Sequence, residues 1–172
     1  DWFLADVEEL NHLALEGSVD ITKMSYHAYA FAAANYLLLD SGGALGRGNG
    51  PLLISRRKIY PDEINDLLIA IPGKYTTANL LFSIAWPDAH NKREYLFSDI
   101  PEVVLSGKAD AGLIIHETRF TYQSMGLKKI VDLGRYWEEF SGLPIPLGAI
   151  VVNRNLPEAI ALKVNDTIKR SI

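Results

Sequence analysis

Cysteine is absent from this chain of 172 residues. Disulfide scaffolds, thiol catalysis and cysteine-based zinc sites are therefore excluded. No apolar run is long enough to span a bilayer, and no basic-then-apolar signal segment opens the chain. The four histidines show neither H-E-x-x-H spacing nor a tight cluster, so no metal is expected. A G-x-S-x-G nucleophile elbow is missing, as are internal repeats and low-complexity tracts. Blocks of like charge are missing too, with 17 basic residues against 21 acidic ones and a formal net charge of −4. Proteins that grip phosphate backbones need a basic stripe, so nucleic acid is not an expected partner. A local cationic or amide-lined pocket for one small anion is still allowed. No membrane partner is expected, and a cytoplasmic location is the default.

What is present fits one modest globular domain. Apolar residues make up 48% and charged residues 22%, and the length suffices to bury a sizeable core. Short apolar runs alternate with helical patterns, which predicts an α/β fold with parallel strands. Trp2 to Ala5 reads as the tail of a strand already under way, and the chain starts at Asp1 without a methionine. A preceding N-terminal piece is therefore expected. Helices are predicted over 7–16, from Ser25 onward, and over 77–86, 100–106, 135–140 and 156–170. Strands are predicted over 19–24, 36–39, 52–55, 66–71, 94–97, 111–115, 128–133 and 148–152.

The segment Ser41 to Pro51 (SGGALGRGNGP) holds five glycines. It lacks G-x-G-x-x-G spacing and a following Gly-Lys-Ser/Thr triplet, so it reads as a flexible connection rather than a phosphate loop. Arg56-Arg57-Lys58 reads as a solvated basic patch. A second α/β series begins near Tyr60. The expected organisation is two lobes with a ligand cleft between them, lobe I being residues 1–55 plus 149–172 and lobe II residues 56–148.

The segment Ala111 to Tyr122 carries the most chemical information. Its apolar half reads as a buried strand, His116 and Glu117 follow where the strand ends, and Thr118 can cap a helix. Ligands of open α/β sheets bind beyond the carboxyl ends of strands. A neutral imidazole there can accept a proton near neutral pH. The alternative is a helix-start histidine that only bonds to backbone. In Ile71 to Thr77, a strand, a turn and a helix start bring Thr76 and Thr77 to free N–H groups that suit a carboxylate or phosphate, or serve as simple caps. Asn11 shares a helix face with Val7, Leu10 and Ala14, so its amide is either tied to neighbouring backbone or lines a polar cavity. Ser25 ends a strand and caps the next helix. His27 reads as packed, and His12 and His90 as surface residues.

The wording of several segments goes further. ADVEELN at 5–11, ITKMSYHAYA at 21–30, LLLDSGGALG at 37–46 and GPLLIS at 50–55 resemble the 1,4-dihydroxy-6-naphthoate synthases. So do IPGKYTTA at 71–78, LIIHETRFTY at 113–122 and GLPIPLGAIVVNR at 142–154. The resemblance implies a two-lobed type 2 periplasmic-binding-protein fold put to catalysis in menaquinone biosynthesis, without a cofactor. It implies conversion of cyclic dehypoxanthine futalosine, a small carboxylate, to 1,4-dihydroxy-6-naphthoate. His116 then corresponds to the general base, and Asn11, Ser25, Thr76, Thr77 and Glu117 to substrate-positioning residues. Members of that family carry an N-terminal strand and a Cys-Pro-Asn-Asp-like loop that this chain lacks, and continue beyond its last helix, so a fragment is expected. The alternatives are the chorismate dehydratase of the same pathway and a non-catalytic solute-binding protein for a small carboxylate.

Overall fold

The computed structural model describes residues 2–172. The first stretch carries α1 (Val7–Leu15), β1 (Ile21–Ser25), α2 (Tyr26–Ala32), β2 (Tyr36–Leu38), β3 (Ala44–Gly46) and β4 (Leu52–Ser55). A 3₁₀ turn at Pro61–Asp66 leads to β5 (Ile69–Ile71), α3 (Thr77–Ala85), β6 (Lys92–Glu94), α4 (Ile100–Leu105) and β7 (Ala111–Ile114). Then follow α5 (Thr118–Thr121), β8 (Lys128–Asp132), α6 (Leu133–Ser141), β9 (Ile145–Asn153) and α7 (Glu158–Ser171). Among the described residues no helix is long and apolar enough to cross a membrane.

The chain divides into two compact units. One comprises Asp1–Leu45, Tyr75–Thr77 and Pro146–Ile172, and the other Gly46–Lys74 and Ala78–Ile145. In the first unit β9 lies between β1 and β2, antiparallel to both, with β3 also paired to β9. Met24, Ala28, Tyr36 and Val151 form its core with Ala14 of α1. Asp6 caps α1 by accepting the Glu8 N–H, and Ser25 caps α2 by accepting the Ala28 N–H, as its sequence position predicts.

In the second unit the strand order is β6-β5-β7-β4-β8. Only β5 pairs in parallel, with β6 and β7, while β4 is antiparallel to β7 and β8. The parallel sheet expected from the alternating pattern is thus confined to three strands. Its core gathers Ile54, Ala70, Ile100, Val104, Ile114 and Leu127.

Three expectations change. Residues 2–5 form no strand, and Trp2 and Leu4 are 83% and 88% exposed. The strand expected from Asp66 begins at Ile69, because Pro61 at a helix start draws 61–66 into the 3₁₀ turn. Residues 46–55, expected in lobe I, belong to the second unit, because β4 is fully buried and hydrogen-bonded between β7 and β8.

The glycine-rich connection is held rather than loose. Gly48 donates its N–H to Glu138 at 2.7 Å, and Leu133 donates to the Pro51 carbonyl at 2.9 Å. Gly50 lies against Gly134 so closely that a Cβ built on Gly134 meets the Gly50 Cα at 2.6 Å. Gly134→Ala is therefore expected to cost about 1–3 kcal/mol, the usual penalty of forcing an extra carbon into packed structure. A urea-unfolding midpoint unchanged from wild type would count against that contact.

Candidate functional site

β7 delivers the chain to His116 through a fully buried strand. At His116 the backbone turns with φ +55°, the one positive φ outside glycine among the described residues. A left-handed conformation with a side chain costs about 1–2 kcal/mol, although histidine is among the residues that adopt it more often. The His116 side chain is exposed, and its ring meets Phe97 edge-on with centroids 5.3 Å apart. The ring is therefore presented to solvent at the end of a buried strand, where an imidazole can take a proton.

The same turn displaces the expected helix cap. Because the reversal is completed at His116, helical backbone begins at Glu117, which takes the N-cap position without a side-chain hydrogen bond. Thr118 is the first helical residue rather than the cap. Glu117 is exposed beside His116.

Asn11, Ser25, Thr76 and Thr77 all lie in the first unit, within 9% exposure, and the first two are tied directly together. Asn11 is completely buried, and its Oδ1 accepts from the Ser25 N–H at 2.9 Å and lies 3.2 Å from the Ser25 hydroxyl. The Asn11 amide donates to Glu8 at 2.9 Å. Of its two open readings, the structure shows the tie to backbone. The Ser25 hydroxyl also reaches the Tyr75 carbonyl, and the Tyr75 N–H donates to Glu8 at 2.8 Å. His27 places Nδ1 3.1 Å from the Thr76 carbonyl and packs on Phe31, which matches its reading as a packed residue. The Thr77 hydroxyl donates to the carbonyls of Pro146 and Leu147, at 2.7 and 3.1 Å.

Buried polar bonds thus clamp Tyr75–Thr77 onto α1 and β1, just where α3 begins. Sequence reasoning missed Glu8, which holds both Asn11 and the Tyr75 N–H while only 8% exposed. Its signal was its place three residues before Asn11, on the same helical face.

The second unit also carries an open hollow lined by Lys74, His90, Lys92, Arg93 and Glu94, where β5 and β6 end. Burial holds the Lys92 ammonium below the usual lysine pKa, and it donates to Ser83 at 2.7 Å.

A family profile described as menaquinone biosynthesis matches residues 1–172. The chain belongs to the menaquinone biosynthesis family. It is 46% identical over 169 residues to a 1,4-dihydroxy-6-naphtoate synthase of Thermus thermophilus, covering 98% of this chain and 61% of that protein. The enzyme of the same name from Streptomyces coelicolor is 39% identical over 178 residues, covering 100% and 62%. The chain spans about three fifths of the length of these curated relatives.

A crystal structure of an Archaeoglobus fulgidus protein resembles this menaquinone-family chain with a TM-score of 0.91 at 36% identity, over 99% of this chain and 63% of that one. The alkanesulfonate-binding protein of Xanthomonas axonopodis pv. citri gives 0.68 at 14% identity, over 95% and 59%. That second likeness shows the fold alone. The chain has an α/β periplasmic-binding-protein-like fold built on two sheets, as its sequence predicts.

Proposed function

We propose that this protein is a cytoplasmic carbon–carbon lyase that converts cyclic dehypoxanthine futalosine to 1,4-dihydroxy-6-naphthoate, releasing a dihydroxyacetone fragment. The observation that carries the reading is the left-handed backbone of His116 at the end of β7. Strain of this kind persists where surrounding structure enforces it, and it clusters at active sites. The names of the relatives at 46% and 39% identity supply the substrate class.

In this reading the His116 imidazole removes a proton from the substrate, and the electron pair released drives carbon–carbon cleavage. Aromatisation of the remaining ring pulls the step forward. Glu117, next to His116, faces the same substrate. Asn11 and Ser25 act by fixing the Tyr75–Thr77 segment, because their polar groups are spent on one another, on Glu8 and on backbone. Thr76 and Thr77 then open α3 with N–H groups suited to the substrate carboxylate. Such a mechanism needs no resident cofactor. General-base help supplies roughly 10²–10⁴-fold, and positioning must supply most of the rest.

The test is incubation with cyclic dehypoxanthine futalosine, following the naphthoate by mass and absorbance, with chorismate as the parallel substrate. Naphthoate from the futalosine derivative alone is the expected result. Tight binding of that compound without turnover, or turnover of chorismate instead, sinks the proposal.

A further inference from the structure

We infer that Arg119 is the positioning residue that holds His116 in its left-handed conformation; the inference rests on the reading of His116 as the base. Between His116 and Tyr122, whose ring enters the core of the second unit, no side chain of the segment is buried. Helix α5 is four residues long and buries none of them, and Glu117 offers no side-chain cap. A single turn of helix is unfavourable by itself, since nucleation fixes several dihedrals for one hydrogen bond. Yet the backbone just before it is held at φ +55°, and a strained conformation lasts only when its surroundings over-determine it.

Arg119 supplies that constraint. Its guanidinium donates to the Gly50 carbonyl through Nη1, and through Nη2 to the Gly48 carbonyl at 3.0 Å and to Asp132 at 2.8 Å. Arg119 and Asp132 side chains are each only 16% exposed, so this pair is not a surface bridge of negligible worth. The far ends of all three bonds are themselves fixed. Asp132 caps α6 by accepting the N–H groups of Gly134 and Arg135, both at 3.1 Å. The 48–50 connection is held by Glu138 and by the contact of Gly50 with Gly134. At the near end, the Arg119 N–H donates to the His116 carbonyl at 3.2 Å. One residue thus grips the His116 turn with its backbone and the rigid β8–α6 corner with its side chain.

The arrangement needs a planar fork. A lysine can neutralise Asp132, but a single ammonium at the end of a flexible stem does not span three acceptors in fixed directions. Arg119→Lys should keep the fold and release the turn. Misplacing a catalytic group by about 1 Å can cost roughly 10²-fold. The expected result for Arg119→Lys is kcat lower by about 10–100-fold, with KM within a few-fold of wild type.

The readout that a merely structural role leaves unmoved is His116 itself. Its backbone and ring resonances, followed by heteronuclear NMR on the full chain, should shift in Arg119→Lys. Hydrogen exchange at Glu117–Phe120 should quicken while β4 and β7 stay protected. Asp132→Asn, which keeps the cap acceptor but weakens the ion pair, should move the same resonances less. Unmoved His116 resonances in Arg119→Lys overturn the inference whatever happens to kcat. If wild-type protein shows no turnover, the base reading fails by itself. The resonances then decide alone, a shift supporting the anchor and its absence refuting it.

Discussion

His116→Gly is expected to lower turnover of cyclic dehypoxanthine futalosine by about 10²–10⁴-fold while leaving the protein as stable as wild type or slightly more so. The loss follows from removing the imidazole presented at the end of β7. The stability result follows from the backbone. At φ +55° a histidine carries a cost of about 1–2 kcal/mol that glycine does not. Against it stand the larger unfolded-state freedom of glycine and the edge contact with Phe97. The net expectation is a change between zero and about 1 kcal/mol of stabilisation.

The two results matter together, because a residue whose removal abolishes turnover yet spares the fold is held for chemistry. His116→Asn is the companion variant, since asparagine tolerates the same conformation without an imidazole. It should be as inactive as glycine. Activity retained in either variant removes His116 from the mechanism. A large loss of stability in His116→Gly would instead make the histidine a structural residue.

Much of this was readable from the sequence, for physical reasons that also mark where reading stopped. The β4 run Leu52–Ser55 and the His116 position after β7 follow from apolar length and flanking residues. Strand direction does not. β4 is buried on both faces, and a fully buried strand shows the same unbroken apolar run whether its neighbours run parallel or antiparallel. The compact units divide before Gly46, inside the glycine cluster, rather than after Ser55. Glycines usually punctuate, but Gly50 is required by its approach to Gly134 inside one unit.

The positive φ of His116 had no local signal, because it is imposed by partners far away in sequence. The Arg119 guanidinium reaches back 69 and 71 residues to the carbonyls of Gly50 and Gly48. Similarly, Ser25 was legible as a helix cap from its neighbours alone, whereas its bond to the Tyr75 carbonyl, 50 residues away, was not. Bonds across 50 or more residues left no mark on the sequence. Two local features were missed as well: the tie of Glu8 to Asn11 three residues on, and the start of α5 at Glu117 rather than Thr118.

Asn11→Ala should be the most damaging substitution in the polar clamp of the first unit, with an expected loss of roughly 2–5 kcal/mol of stability. The side chain is wholly buried and spends its amide on two largely buried groups, the Ser25 N–H and the Glu8 carboxylate. Truncation strips the Ser25 N–H of its acceptor and Glu8 of one donor. Each buried group so stranded costs about 1–3 kcal/mol, with charged groups at the upper end. Ser25→Ala keeps its N–H bonded to Asn11 but removes the α2 cap and the donor to the Tyr75 carbonyl, so about 1–3 kcal/mol is expected there, below the Asn11→Ala loss because no charged group is stranded.

Urea unfolding of both variants provides the comparison, and hydrogen exchange of the Tyr75–Thr77 amides provides the local readout. Asn11→Ala should speed exchange at those amides, because Glu8 loses one of the bonds that orient it toward the Tyr75 N–H. The opposite ranking, or an Asn11→Ala protein of normal stability with KM alone raised, would mean that Asn11 touches substrate directly. With its oxygen already accepting from Ser25 and its nitrogen donating to Glu8, the geometry favours the clamp.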